Sequence, residues 1–181
     1  MYALIIDNAI NKIITQPKSL VIGDVRYPAK IFQLWTKAEK EAIGIYEVVT
    51  NTSNFKDEEY YINTNESFTF ADGEVTRSWG TATAKNVSDL KTQKKKTVKQ
   101  QAAGLLAPTD WYVVKATEVS DYSVPSKITT FRAAVRTKSN EMETAIDNAS
   151  DVAALETLYT YTVQEDGSVT RPLGQFPTLE D

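Results

Sequence analysis

A long apolar stripe follows Pro125, and it restricts the fold of this chain more than any other feature of the sequence. Its residues recur at steps of three and four positions: Ile128, Phe131, Val135, Met142, Ala145, Ile146 and Ala149. That spacing is typical of an amphipathic α-helix, whose apolar face must be buried. Pro125 stands where the first residue of a helix is expected, and the stripe resumes at Val152 and Leu155. We therefore predict a helix over residues 126–148 and a short helix over residues 152–159.

Another helical stretch precedes this stripe. Asn86 is a candidate N-cap with Asp89 three residues later, and neither Gly nor Pro interrupts the chain before Gly104. We therefore predict a helix over residues 87–103. Its apolar stripe is thin, and a helix gains most of its stability by packing an apolar face. We expect it to pack antiparallel against the longer helix, with residues 107–124 as the crossover between them.

A run of lysines lies within the first of these helices, at Lys91, Lys94, Lys95, Lys96 and Lys99. A nucleic-acid site would also need aromatic or Arg side chains to grip bases, and residues 84–107 contain neither. The net charge of -4 and the pI of about 5.0 also argue against general affinity for nucleic acid. We interpret the lysines as a solvated helix face and predict no nucleic-acid partner.

The first 84 residues show the short apolar runs and turn residues that are typical of strands. An apolar run at residues 3–6 precedes the turn residues Asp7 and Asn8, and residues 45–49 form another predicted strand. The segment 25–32 contains Pro28, which cannot donate to a central strand, so we predict an edge strand there. A small sheet with one exposed edge is expected.

Short local signals indicate where a helix begins and ends and where the chain turns. Thr36 and Glu39 have the spacing of a capping box, and Gly44 is the residue type that ends helices, so we predict a helix over residues 37–43. Two Asp-Gly pairs predict tight hairpin turns, at residues 72–73 and 166–167.

These predictions place the chain in the α+β class. They divide it into a strand-rich N-terminal domain, residues 1–84, and a second domain, residues 85–181. The second domain holds the antiparallel helical hairpin over residues 85–159, followed by a C-terminal β-hairpin and a tail whose two Pro and one Gly exclude a long regular element.

The chain has no Cys and no His, so it offers neither a thiolate metal site nor a triad that depends on imidazole. No P-loop, nucleophile elbow or dinucleotide fingerprint is present. The acidic run at Asp57, Glu58 and Glu59 is more typical of solvated surface than of a glycosidase pair. We predict a protein that is not an enzyme, with no cofactor and no metal site.

The sequence contains no apolar run of the roughly 20 residues that are needed to span a bilayer. Its first six residues are too short and too poor in positive charge for a signal peptide. We therefore expect no membrane partner and an intracellular place of synthesis.

An ordered set of short segments lies between residues 105 and 159. The segments are Leu105-Leu106, Thr109-Asp110-Trp111, Lys115, Glu118, Val124-Pro125, Phe131-Arg132, Val135-Arg136, Ser139-Asn140 and Asp151-Val152-Ala153-Ala154-Leu155. In this order they resemble a helical module of tailed-phage tail and tail-fibre-associated proteins, with Phe131 where a tyrosine is more usual. The match covers about a third of the chain.

The resemblance implies a non-enzymatic chaperone or adaptor of tail-fibre assembly, which binds a fibre or receptor-binding protein. Such proteins act in the host cytoplasm during assembly, and some stay on the virion tail. The main alternative is a permanent structural component of the tail, such as a fibre, tip or baseplate subunit; a carbohydrate-active enzyme ranks third. The sequence is also compatible with a homo-oligomer.

Four residues are candidates for binding the partner: Trp111, Arg132, Arg136 and Phe176. Trp and Arg are frequent at binding hot spots. The structural interpretation is that Trp111, with roughly 200 Å² of surface to bury, wedges between the two helices, while the arginines pair with carboxylates of the crossover such as Asp110. The tail residue Phe176 either docks into a groove of the partner or lies in a loose terminus.

Overall fold

The computed structural model describes residues 1–179, so Glu180 and Asp181, the last residues of the predicted tail, lie outside the described residues. The chain divides into two units, Met1–Thr83 and Ala84–Asp181. The predicted boundary after Ala84 differs from this division by one residue. Strands dominate the first unit and helices the second, which confirms the α+β class.

The first unit consists of short strands and two short helices. In chain order they are β1 (Tyr2–Ile6), β2 (Ala9–Ile14), β3 (Leu20–Ile22), β4 (Val25–Tyr27), α1 (Ile31–Leu34), α2 (Lys37–Glu41), β5 (Ile45–Thr50), β6 (Tyr61–Ile62), β7 (Ser67–Ala71) and β8 (Glu74–Ser78). The strand β9 (Thr83–Ala84) lies at the boundary between the two units.

Five of these strands form one sheet in the order β2-β1-β5-β8-β7. The β1–β2, β1–β5 and β7–β8 pairs are antiparallel, whereas β5 and β8 run parallel. The outer strands β2 and β7 also approach each other, with Cα atoms within 8 Å, so the sheet curls. Asp7 and Asn8 both have positive φ, 50° and 61°, which is the geometry of a tight hairpin turn.

The hairpin predicted around Asp72 and Gly73 is confirmed, with Phe70 opposite Val75. The edge strand predicted over residues 25–32 is wrong beyond Tyr27. Pro28 has no N–H for a ladder, and its carbonyl instead accepts a hydrogen bond from the Ile31 N–H at 3.2 Å. The chain therefore turns into α1.

The core of the first unit lies between the sheet and α1. Buried residues from β1, β2, α1 and β5 pack together: Leu4, Ile14, Ile31, Phe32 and Ile45. The ribbon of β3 and β4 adds Leu20, Ile22 and Tyr27 against this cluster. The α1 segment thus covers one face of the sheet.

The capping box of α2 is confirmed. The Thr36 hydroxyl accepts the Glu39 N–H at 3.3 Å, and the Glu39 carboxylate accepts the Thr36 N–H at 2.8 Å. These hydrogen bonds lower the pKa of the Glu39 carboxyl, with the backbone N–H of Thr36 as the larger cause. The helix ends two residues before the predicted Ile43, and Gly44 follows with φ of 81°.

The second unit contains the helical hairpin. Its elements are α3 (Val87–Leu106), α4 (Asp110–Glu118), α5 (Ser126–Asn148), α6 (Val152–Tyr159), β10 (Thr162–Val163) and β11 (Val169–Thr170), with a short 3-10 turn at Ala107–Thr109. The bounds predicted for α5 and α6 are confirmed, and so is the Asn86 cap, which accepts the Ser88 and Asp89 N–H groups. The predicted hairpin at residues 166–167 is confirmed as β10 and β11.

The antiparallel packing of α3 and α5 is also confirmed. Lys95 pairs with Asp147 at 2.7 Å and Lys99 with Glu143 at 3.2 Å, so positions rise along α3 as they fall along α5. The interpretation of the lysine run as a purely solvated face needs correction. Lys91 donates to the Asp147 carbonyl at 2.9 Å, so three of these lysines tie α3 to α5.

The core of the second unit follows the predicted stripe. Ile128, Val135, Met142 and Ile146 of α5 are almost fully buried, as is Leu155 of α6. Pro125 is the N-cap of α5 instead of its first helical residue. Within residues 1–179 no helix is both long enough and apolar enough to cross a membrane.

Candidate functional site

The crossover between α3 and α5, predicted over residues 107–124, is helical as far as Glu118. Pro108 stands in the first turn of the 3-10 segment, where its fixed φ suits a helix. Asp110 keeps helical dihedrals, φ of -65° and ψ of -33°, so the chain continues directly into α4. No Gly or Pro interrupts α4 before it ends at Glu118.

Trp111 does not wedge between the two helices, so the structural interpretation of this residue is wrong. Its side chain is 51% exposed, and no residue of α4 is buried. The Trp111 ring lies against its neighbour Tyr112, with centroids 3.8 Å apart. The indole is therefore available at the surface.

Other apolar side chains of the same helix are exposed with it. Val113 is 43% exposed, Val114 is 54% exposed, and Val119, the residue that caps α4, is 44% exposed. Isolated apolar residues at a surface are ordinary, but here four lie within nine positions of one helix segment in which no residue is buried. We call Trp111, Val113, Val114 and Val119 the α4 surface.

Lys115 provides the positive charge of this region. Its ammonium lies 4.3 Å from the centroid of the Tyr122 ring and 5.8 Å from that of Trp111. A cation at these distances is attracted by the negative face of an aromatic ring. The contact with Tyr122 links α4 to the segment that follows it.

Arg132 is a structural residue and lies away from the exposed surface. Only 8% of it is exposed. Its Nη1 group donates to the Leu106 carbonyl at 3.1 Å and to the Thr109 hydroxyl at 2.6 Å, and it pairs with the Asp110 carboxylate at 2.7 Å. Arg132 thus ties the end of α3 and the start of α4 to α5, which confirms the predicted pairing of Asp110 with an arginine.

Arg136 has different surroundings, although it lies one turn further along α5. It is exposed, and its side chain reaches only the Arg132 carbonyl, at 3.4 Å. Within residues 1–179 it forms no ion pair, so the predicted pairing with a crossover carboxylate does not extend to it. Of the two arginines, Arg136 alone is available to a partner.

Phe176 packs, partly buried, against its own chain, so the loose terminus is wrong for this residue, whereas its docking into a partner's groove stays a prediction. It lies on the cluster of Ala102, Phe131 and Val135. Leu173 is 3% exposed, and its N–H donates to the Leu158 carbonyl at 3.0 Å. Leu173 and Phe176 therefore close the end of the helical core.

The acidic run in the first unit shapes a turn. The Asp57 carboxylate accepts the Glu59 N–H at 2.8 Å, and its carbonyl accepts the N–H groups of Tyr60 and Tyr61. In the described part of the chain, no group of three or more carboxylates is placed to hold a metal ion.

Sequence reasoning did not identify Val113 and Val114 as members of the α4 surface. The available signal was the run of four apolar residues from Trp111 to Val114, because such a run in a helix points outward on several sides at once. A buried helix that is apolar on all sides has the same pattern, so exposure could not be predicted from it.

Comparison with known proteins finds no family model, no curated protein and no solved structure that matches this chain. The resemblance to phage tail proteins therefore rests on the ordered sequence segments between residues 105 and 159 alone.

Proposed function

We propose that this chain is a non-enzymatic chaperone or adaptor of tailed-phage tail-fibre assembly, which binds a fibre or receptor-binding protein through the α4 surface. The observation that carries the proposal is a helix of nine residues with no buried side chain and an exposed tryptophan. Large exposed apolar patches mark sites of interaction between proteins.

The length of α4 supports an interaction role. Isolated helices shorter than about 12–15 residues are marginal in water, and helices in proteins depend on packing of an apolar face. Within the described residues no side chain of α4 is buried, so its apolar side chains are packed only in part. A partner that covers Trp111 and Val114 would supply it.

The anchoring of α4 supports the same role. Arg132 holds Thr109 and Asp110 in place, and Trp111 follows them directly. Asp110 also lies in the first turn of α4, where a carboxylate interacts favourably with the helix dipole. The contact fixes only the first turn of α4, and a backbone held there before binding favours affinity.

The resemblance adds a further argument. Thr109, Asp110 and Arg132 belong to the segments that carry it, and they contact one another although more than twenty positions separate Arg132 from the other two. Two of the segments are therefore joined in the structure, directly beside the exposed Trp111.

The proposal is tested by co-expression with the neighbouring fibre gene. Wild-type chain is expected to raise the yield of soluble, trimeric fibre and to be captured with it. Trp111→Ala and Val114→Asp are expected to abolish both effects. If the fibre is equally soluble and trimeric without this chain, the proposal is wrong.

Val163→Asp is the matched control for Val114→Asp. Val163 is 71% exposed in the same unit, and its replacement by Asp makes the same change in charge, but it lies on β10. It is expected to leave capture of the fibre unchanged. Equal loss of capture in both variants would mean that charge, and not the α4 surface, controls binding.

A permanent tail subunit would use the same surface, and the composition of the virion separates the two functions. Mass spectrometry of purified particles is expected to show no copies of a chaperone. Stoichiometric copies in mature particles would contradict the chaperone and favour the structural subunit.

A further inference from the structure

The first unit contains a cleft of about 310 Å³ between the sheet and the β3–β4 ribbon. Lys12 of β2 and Arg26 of β4 line it, together with Lys18 from the connection between β2 and β3. Lys12 pairs with Leu4 across the antiparallel strands, so both side chains lie on the same face of the sheet. Three separate segments thus bring a cation to one cleft.

Within the described part of the chain the three cations have no acidic partner, and no Asp or Glu from that part lines the cleft. Among residues 1–179 the side chains of Lys12, Lys18 and Arg26 form no ion pair and no hydrogen bond. Acidic residues outnumber basic ones in this chain, 24 to 20. Other exposed cations of the described residues, such as Lys30 and Arg136, also form no ion pair, but Lys12, Lys18 and Arg26 line one cleft.

The floor of the cleft is apolar. Leu4 and Ile14 are 5% and 2% exposed, and Leu20 lies beside them. Polar groups at the rim come from Asn11 and Ser19. Small-molecule sites combine an apolar lining with a few convergent polar groups, and their volumes begin at about 300 Å³.

We propose that this cleft binds a small phosphate monoester, with the phosphate between Lys12, Lys18 and Arg26 and the organic part on Leu4, Ile14 and Leu20. A phosphate monoester carries about -1.5 to -2 charges near neutral pH, whereas a carboxylate carries one, so it matches three cations better. The Arg26 guanidinium can donate two parallel hydrogen bonds to phosphate, and each lysine adds a point charge.

Isothermal titration calorimetry with phenyl phosphate tests this proposal on the full chain. Phenyl phosphate is expected to bind in a saturable manner and more tightly than inorganic phosphate, which lacks a group for the apolar floor. It is also expected to bind more tightly than benzoate, which has the ring but less charge. Raising NaCl from about 50 mM to about 500 mM is expected to weaken binding, since the cations are exposed.

The variants remove the cations one at a time and together. Arg26→Gln is expected to weaken binding by about tenfold, the factor that one charge-assisted hydrogen bond contributes. Lys12→Gln/Lys18→Gln/Arg26→Gln is expected to abolish binding. The control Lys30→Gln/Lys96→Gln/Lys127→Gln makes the same change in net charge at exposed lysines outside the cleft, and it is expected to bind like wild type.

Three results would overturn the proposal. Absence of saturable phenyl phosphate binding to the wild-type chain would show that the site does not exist. Binding of benzoate as tight as that of phenyl phosphate would exclude recognition of the phosphate group. Retained binding in the triple cleft variant, with circular dichroism showing that both triple variants are folded, would place the ligand elsewhere. None of these results depends on capture of a fibre protein.

Discussion

Replacing Arg132 by Ala is expected to destabilise the second unit through loss of the contacts that tie α3 and α4 to α5. Its guanidinium donates to two neutral oxygens, on Leu106 and Thr109, and pairs with Asp110. A hydrogen bond from a charged donor contributes about 1.5 kcal/mol or more. The Asp110 carboxylate is 59% exposed, so its ion pair adds only about 0–1 kcal/mol.

The expected loss of unfolding free energy is therefore about 3 kcal/mol. The Leu106 carbonyl keeps a hydrogen bond from the Thr109 hydroxyl at 2.7 Å, so the substitution does not leave it without a donor. With a urea m-value of about 2 kcal/mol/M, the midpoint of unfolding is expected to fall by about 1.5 M.

Urea unfolding followed by far-ultraviolet circular dichroism measures this effect, because the long helices lie in the second unit. Arg132→Lys keeps the charge but loses the planar fork, and it is expected to fall between wild type and Arg132→Ala. Arg136→Ala is the control, since an exposed residue without an ion pair changes stability by about 0.5 kcal/mol or less. Equal midpoints for Arg132→Ala and Arg136→Ala would refute the assignment of Arg132 as a structural residue.

Other substitutions test the first unit and α3. Gly44→Ala is expected to lower stability by about 1–3 kcal/mol in thermal melts, because Gly44 has φ of 81° and an added Cβ would lie 2.5 Å from the Ile5 carbonyl oxygen. Gly104→Ala is its counterpart: apart from the neighbouring residues and backbone of α3 itself, no described atom lies within 4 Å of an added Cβ. Stability is therefore expected to rise by about 0.5–1 kcal/mol, and a loss would contradict the open surroundings of Gly104. The hydrogen bond from Lys40 lowers the pKa of Glu47 below its ordinary 4.5 and raises the pKa of Lys40 above its ordinary 10.5. The stabilisation from this pair is therefore lost as pH falls through the pKa of Glu47 and as pH rises through that of Lys40. Glu47→Gln is expected to be less stable than wild type at neutral pH and equally stable in acid. A stability difference that persists in acid would exclude the ion pair as its source.

The elements predicted well are those specified by neighbouring residues. The stripe after Pro125 defined α5, and the Thr36–Glu39 capping box and both Asp-Gly turns were found as predicted. Each depends on contacts within a few positions, which the sequence displays directly.

The errors arose where distant contacts override a local signal. Gly104 was expected to end α3, but the helix continues to Leu106 because Leu105 and Leu106 pack against Phe131 and Val135 of α5. The tail was treated as independent for the same reason, although Phe176 joins that cluster. Local propensity is a weak guide where tertiary packing is available.

The candidate site was predicted by residue type and corrected by geometry. The size of Trp111 suggested burial, yet half of it is exposed. Partner binding and pairing with a crossover carboxylate were both open for Arg132, which is buried and pairs with Asp110. The buried side of α5 contains Arg132 because Thr109, Asp110 and the end of α3 offer it three oxygens. The sequence next to Trp111 and next to Arg132 does not indicate that these oxygens lie beside Arg132. The parallel pairing of β5 with β8 likewise has no signal along the chain.

The absence of buried side chains in α4 also determines how this helix moves. Opening α4 exposes no core, so its backbone amides should exchange with solvent hydrogen through local fluctuations while those of α5 stay protected. A partner that binds α4 must then hold it in one conformation, and part of the binding free energy offsets that ordering. The affinity of the complex is therefore set partly by the helicity of α4 before binding. Changes that favour the helix should tighten the complex without adding a single contact.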